Sequence, residues 1–161
     1  MATPAIEEAI CVERGTSDDL DSVMAVMEQA FGNHYGEAWT RSQCAGILPM
    51  SGVSLRLARD RRSGRAVGFS LARSVADETE LLLLAVDPAQ QRRGVGRMLL
   101  DDFVEQARAQ GIAKAHLEVR DGNGAMSMYR RAGFEPVGRR RNYYHAPDGS
   151  AFDALTFMRK V

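Results

Sequence analysis

Two side chains in the C-terminal half carry functional groups suited to moving protons during group transfer. Glu118 is a carboxylate in the middle of Ala115-His116-Leu117-Glu118-Val119-Arg120, and Tyr129 is a phenol in the stretch that follows. Transfer of an acyl group from a thioester to an amine uses such a pair: a base takes the ammonium proton and an acid protonates the departing thiolate. Each residue also has a plain structural reading. Alternation along a strand puts Leu117 and Val119 on one face and leaves Glu118 on the other, as a solvated carboxylate would be. Tyr129 alone fits a core aromatic with a wet hydroxyl equally well.

A third element points to an anion. Leu81-Leu82-Leu83-Leu84-Ala85-Val86 is an apolar run of strand length, stopped by Pro88, which has no ladder donor. From Val95 the apolar residues change to helical spacing, through Leu99, Phe103 and Ala107. Gly94 and Gly96 flank that helix start, where unpaired amides and the positive end of the helix dipole face outward. Arg92, Arg93 and Arg97 add full charges, giving a receptor for phosphate or pyrophosphate. A purely structural turn remains the alternative, because glycine serves any tight turn. The Gly-x-x-x-x-Gly-Lys-Ser/Thr loop is absent, and Leu99 stands where the dinucleotide fingerprint has its third glycine.

Amine basicity favours one acceptor class. An α-amine with a pKa of about 7.7–8.0 costs about 1 kcal/mol to deprotonate at pH 7, whereas a lysine at about 10.4 costs roughly 4–5 kcal/mol. One carboxylate serves the first more easily.

The elements that must position these groups follow from the rest of the chain. Its 161 residues fit one domain over 1–161, with 1–9 expected to be flexible. Apolar residues make up 45% and charged residues 26%, an ordinary globular balance. The 21 basic and 21 acidic side chains cancel, which argues against nucleic-acid binding by bulk electrostatics. Cys11 and Cys44 form no C-x-x-C, residues 1–10 have no secretory apolar core, and no run is long enough to span a membrane; a reduced, cytoplasmic chain is expected. His34, His116 and His145 are scattered without metal-ligand spacing, so no metal is expected.

Strands are predicted at 10–14, 53–58, 66–73, 81–86, 115–120, 134–139 and 151–159. Thr16 to Asp19 caps a helix with Leu20, Val23, Met24, Met27 and Phe31 on one face, ended by residues 32–36. Further helices are predicted at 37–48, anchored by Trp39, from Val95 to Gly111, and at 125–132. A strand on each side of a crossover helix implies a parallel pair there, and the hairpins imply antiparallel pairs elsewhere. The fold class is therefore α/β, with a mixed, twisted sheet.

Gln91-Arg92-Arg93-Gly94-Val95-Gly96 resembles the Gln/Arg-x-x-Gly-x-Gly/Ala loop of the GCN5-related N-acetyltransferases. Ala85-Val86-Asp87-Pro88, Leu117-Glu118-Val119-Arg120, Tyr129-Arg130-Arg131-Ala132-Gly133-Phe134 and Arg140-Arg141-Asn142-Tyr143-Tyr144 extend the likeness, closest to the ribosomal-protein alanine N-acetyltransferases of the RimI type. The resemblance implies the GNAT fold, with about six to seven strands and about four helices, splayed at the central parallel strands. It implies acetyl-CoA as cosubstrate, direct attack, and a protein or peptide N-terminus as acceptor, the alanine of ribosomal protein S18 among the candidates. Glu118 is then the proton acceptor and Tyr129 the proton donor. Gln91, Arg92, Arg93, Gly94, Val95, Gly96 and Arg97 hold the pyrophosphate, Leu84, Ala85 and Val86 offer backbone groups to the thioester arm, and Asn123 contacts coenzyme A. Tyr143 and Tyr144 clamp the acceptor's first residues; a solvated basic hairpin end is the other reading of 139–144. The spacing from Asn123 to Tyr129 is one residue shorter than in relatives, Leu83 replaces a residue that some relatives have as polar, and residues 31–52, which show no clear match, are expected to form one wall of the acceptor site. A lysine side chain or small amine as acceptor, and a catalytically silent coenzyme-binding module, are the competing readings.

Overall fold

The computed structural model describes residues 4–32 and 34–161. Its central strand, β4, is longer than the apolar run that announces it. It begins at Glu78 and ends at Val86, because Glu78 to Glu80 still pair with both neighbours. The remaining strands are β1 (Ile10–Arg14), β2 (Val53–Asp60), β3 (Ala66–Val75), β5 (Lys114–Arg120), β6 (Glu135–His145) and β7 (Ala151–Lys160). The helices are α1 (Pro4–Ala9), α2 (Leu20–Phe31), α3 (Arg41–Ile47), α4 (Val95–Ala109) and α5 (Met126–Arg131). Among the described residues the seven strands form one sheet in the order β1-β2-β3-β4-β5-β7-β6, parallel only between β4 and β5. This is the expected mixed α/β sheet.

The helix count exceeds the expected four by α1, which carries little apolar signal beyond Ile6. That residue is buried beside Ile10 and Val67, so Pro4–Ala9 is helical within the segment expected to be flexible. Residues 1–3 lie outside the described residues, as does Asn33 in the predicted helix stop. The predicted helix at 37–48 starts at Arg41, because Thr40 and Gln43 form a reciprocal capping box and leave Glu37 to Trp39 as loop.

Two apolar layers cover the sheet. On one face Leu100, Phe103 and Val104 of α4 pack on Leu81, Leu117 and Phe157; on the other Val23, Val26 and Met27 of α2 pack on Leu57, Phe69, Leu83 and Ala85. Each such fully buried large side chain contributes about 1.5–3 kcal/mol. Strict alternation would keep Leu81, Leu83 and Ala85 together. A bulge at Leu82, where Leu71 pairs with Leu83 but Ala72 pairs with Leu81, transfers the later residues to the α2 face. Close packing at the other end of β4 needs glycine: a Cβ on Gly68 would stand 2.9 Å from the Ala85 carbonyl oxygen and 3.1 Å from Leu99.

The β4–β5 pairing is short. It runs from Glu78 opposite Lys114 to Leu81 opposite Leu117, and beyond that the strands part. Residues 139–144, one reading of which was a hairpin end, continue β6 through an irregular register between Arg140 and Tyr144. Asn142 makes that possible by taking a φ of 52° and donating its amide to Asp153 Oδ1 at 2.9 Å.

Candidate active site

The parting of β4 and β5 opens a cleft of about 830 Å³ lined from both faces of the sheet. Glu118 is the first residue of β5 past its pairing with β4, and it points away from the core residues Leu117 and Val119. Its side chain is 9% exposed. Arg140 Nε donates to Oε1 at 2.9 Å, and Thr156 Oγ1, directly opposite on β7, donates to Oε2 at 2.8 Å.

Tyr129 reaches the cleft from the other face, on α5. It is 7% exposed and packs with Phe134 and Phe157 at ring distances of 6.3 and 6.4 Å. Burial, with the Glu37 charge adding to it, pushes the phenol well above the ordinary tyrosine value, so it holds its proton firmly. Tyr144 is raised in the same direction, first by burial and then by Glu37, and its hydroxyl donates to the Glu118 carbonyl at 3.4 Å. Tyr143 stands edge-on to Tyr144 at 5.0 Å and is largely exposed at the rim.

At the other end of the cleft the chain turns from β4 into α4. Buried Asp87 fixes the turn: Oδ1 accepts from the Ala89 amide at 3.0 Å and Oδ2 from Arg65 at 2.8 Å. Gly94 precedes α4 with a φ of 95°, a left-handed conformation that glycine adopts freely. The amides of Val95, Gly96 and Arg97 form the first helical turn, which has no carbonyl to serve them. Gly96 lets α4 approach α5, since its Cβ would lie 3.3 Å from Met128 Sδ. Unpaired amides beside Arg92 and Arg97 are the donor set that a pyrophosphate requires, so the chain's residues fit a coenzyme A tail here.

Leu84, Ala85, Val86, Gln91, Arg92, Gly94, Gly96, Arg97, Asn123, Tyr143 and Tyr144 line this cleft with Glu118 and Tyr129. Two of the sequence-predicted residues do not. Val95 is buried in the core, and Arg93 turns back to the Gln90 side chain. Gln91 donates to the Val86 carbonyl at 3.4 Å, and Arg97 also pairs with Asp101 at 2.8 Å. Asn123 is engaged within the protein: Oδ1 accepts from the Ala125 amide at 2.8 Å and Nδ2 donates to Glu37 Oε2 at 3.0 Å.

Sequence reasoning missed Glu37 and Tyr35. Glu37 also accepts from Arg120 Nε at 3.2 Å, and the Arg120 guanidinium lies 3.6 Å from the centre of the Tyr35 ring. Together they seat the α2–α3 loop over the end of β5 as a wall of the cleft. The Thr40-x-x-Gln43 capping signal, read strictly, marks residues 37–39 as loop and so as candidates.

Known proteins share this architecture. The chain is 39% identical over 89 residues to the ribosomal protein bS18-alanine N-acetyltransferase of Escherichia coli (strain K12), which spans 55% of this chain and 60% of that protein. The match to the protein of the same name from Salmonella typhimurium is also 39% identical, over 124 residues, 70% of this chain and 82% of the relative. The crystal structure of the Escherichia coli ribosomal-protein-S18-alanine N-acetyltransferase superposes with a TM-score of 0.84 at 27% identity, covering 94% of each chain. The sequence pattern of the acetyltransferase (GNAT) family matches residues 20–134, from α2 through the splayed strands to α5, and with the fold and cleft just described it establishes that the chain belongs to that family.

Proposed function

We propose that this protein transfers an acetyl group from acetyl-CoA to the N-terminal α-amine of a protein, with the N-terminal alanine of ribosomal protein S18 as the first acceptor to test. The observation that carries this reading is the placement of Glu118 and Tyr129 on opposite faces of the sheet, both opening onto one cleft where β4 and β5 part. An acceptor entering beside Glu118 and a thioester entering beside Tyr129 meet through that opening. The names and sequences of the relatives support the acceptor class.

The chemistry needs no acetyl-enzyme intermediate. Glu118 takes the ammonium proton, the free amine attacks the thioester carbonyl carbon, the C–S bond breaks as Tyr129 passes its phenolic proton to the leaving sulfur, and the second proton, shed by the acylated nitrogen, restores the phenol. Beyond Leu81 the edge of β4 that faces β5 is unpaired, so Leu84, Ala85 and Val86 offer main-chain groups to the pantetheine arm. Gly94, Gly96 and their neighbours hold the pyrophosphate, and Tyr143 and Tyr144 flank the acceptor's first residues. No metal takes part in this scheme. The reaction is assigned to the cytoplasm, where Cys11 and Cys44 remain free thiols.

The test is incubation with acetyl-CoA and peptides that differ only in a free or blocked N-terminus, read as thiol release and acetylated peptide. Acetylation of the free peptide alone is expected. Equal reaction of blocked peptides through lysine would overturn the α-amine assignment, and coenzyme binding without thiol release for any amine would make the chain a silent binding module.

A further inference from the structure

Glu118 is held at both oxygens, and the two partners differ in kind. Arg140 Nε donates to Oε1 from a side chain that stands mostly in solvent. Thr156 Oγ1 donates to Oε2 at 2.8 Å from the neighbouring strand β7, directly opposite Glu118. Residues opposite each other in an antiparallel pair share a face and bring their Cβ atoms to about 4.5–5.5 Å. A threonine there reaches the carboxylate without moving the backbone. Its β-branch leaves few χ1 rotamers, so the strand itself aims the hydroxyl.

Nothing else competes for that hydroxyl. Thr156 is opposite Gly138 on β6, which has no side chain to offer. Among the described residues Glu118 is the one hydrogen-bond partner of the Thr156 side chain. Thr156 does not line the cleft, so it reaches the reaction through Glu118 or not at all. Tyr144 touches the Glu118 carbonyl and not its carboxylate.

We propose that Thr156 is a positioning residue that holds the Glu118 carboxylate in its working orientation during proton transfer, an inference that rests on Glu118 being the base. An unheld glutamate ranges over many rotamers, whereas a base must meet its proton within hydrogen-bond reach. The hydroxyl suits this task for two reasons. It is neutral, so it fixes the carboxylate without opposing the arrival of a cationic amine, which Arg140 does oppose. It also serves both states of the carboxyl group. A hydroxyl donates to a carboxylate oxygen and turns to accept from a carboxyl O–H, whereas a guanidinium only donates. Thr156 therefore keeps its partner when the proton arrives, and Glu118 stays in place between taking the proton and releasing it.

The experiment uses the full chain, acetyl-CoA and a peptide with a free N-terminal alanine. Acetylated peptide is read by mass spectrometry in single turnovers, where product release does not mask transfer. Thr156→Val keeps the shape and the β-branch but loses the hydroxyl. Its rate is expected to fall about 10-fold, short of the 10²–10⁴-fold lost with a positioned base, while the steady-state acceptor KM stays unchanged. Thr156→Ser restores the hydroxyl and is expected to recover most of the rate. A double-mutant cycle separates positioning from mere support of the sheet. With Glu118→Gln already in place, Thr156→Val is expected to change the residual rate by less than about 2-fold, because no base is left to orient. An equal loss in both backgrounds, or a Thr156→Ser rate as low as that of Thr156→Val, overturns the positioning role. Full rate in Thr156→Val with slow turnover in Glu118→Gln removes Thr156 and keeps the base. Wild-type turnover in Glu118→Gln removes the base and the positioning role together.

Discussion

Arg140 Nε donates to Glu118 Oε1 at 2.9 Å, so the carboxylate assigned to receive a cationic acceptor already faces a cation. The arginine comes from the irregular part of β6 and its side chain is 62% exposed, against 9% for Glu118. A pair whose cation stands in solvent is worth about 0.2–1 kcal/mol, which corresponds to roughly 1.4- to 5-fold in binding. Arg140→Gln is therefore expected to lower the acceptor KM by about that factor, measured from initial rates at saturating acetyl-CoA. A raised KM would instead show that Arg140 orients Glu118.

Glu118→Gln and Tyr129→Phe keep the shape of each side chain and remove its proton chemistry. Each is expected to cut turnover by about 10²–10⁴-fold while leaving coenzyme A affinity close to wild type by calorimetry. Near-wild-type turnover in both would strip them of their roles. Additivity is not expected, since the two act within one step.

Tyr129 is raised above the ordinary tyrosine value, by burial first and by Glu37 second. A general acid must be protonated, so its contribution is present at low pH and lost as pH rises through its pKa. The alkaline fall of kcat/KM due to this group is expected above the usual tyrosine value of about 10. Glu37→Gln removes the negative charge that opposes ionisation, and the fall is expected to move to lower pH. A pH–rate profile of the two proteins decides this, and an alkaline limb that does not move would exclude Glu37 as an electrostatic neighbour of the acid.

Much of this site is legible in the chain because its signals are local. The change from strand to helical spacing across Pro88 and Gly94 marks the anion-binding turn, and alternation around Glu118 gives its face. The seat of Glu37 is not local: its partners Arg120 and Asn123 are more than eighty residues away, and only the sheet order brings them together. The bulge at Leu82 is also silent in a run of four leucines, where either register buries apolar side chains on both faces. Arg93 and Val95 were assigned to the site by motif; helix geometry turns the Val95 side chain inward to the core and leaves its amide in the open first turn.

Gly94 tests the turn with little steric confusion. It has a φ of 95°, and a Cβ there would meet nothing within 4 Å. Gly94→Ala therefore adds only conformational cost, about 1–2 kcal/mol for a left-handed L-residue. Either the protein loses that stability with the turn intact, or the turn relaxes and coenzyme A binds more weakly. Denaturant unfolding and calorimetry on the same sample are expected to account for the cost between them, with the acceptor site unaffected.

Gly36 makes the complementary test on the acceptor wall. Its φ is 70°, and a Cβ would lie 2.0 Å from the carbonyl oxygen of His145 at the end of β6, a distance no side chain tolerates. The neighbouring contacts are specific: Tyr35 stands edge-on to Phe152 at 5.2 Å and stacks on Arg120, while Glu37 bridges Arg120 and Asn123. Gly36→Ala must push this loop off β6, and Tyr35 and Glu37 move with it. A shift of about 1 Å at a positioning element costs up to about 10²-fold in rate. The loss is expected in acceptor kcat/KM alone, because the atoms that a Cβ on Gly36 would strike belong to His145 and not to the turn assigned to the coenzyme. If coenzyme A affinity fell in parallel, the α2–α3 loop would be a general support of the fold, and the division of the cleft into an acceptor side and a coenzyme side would be wrong.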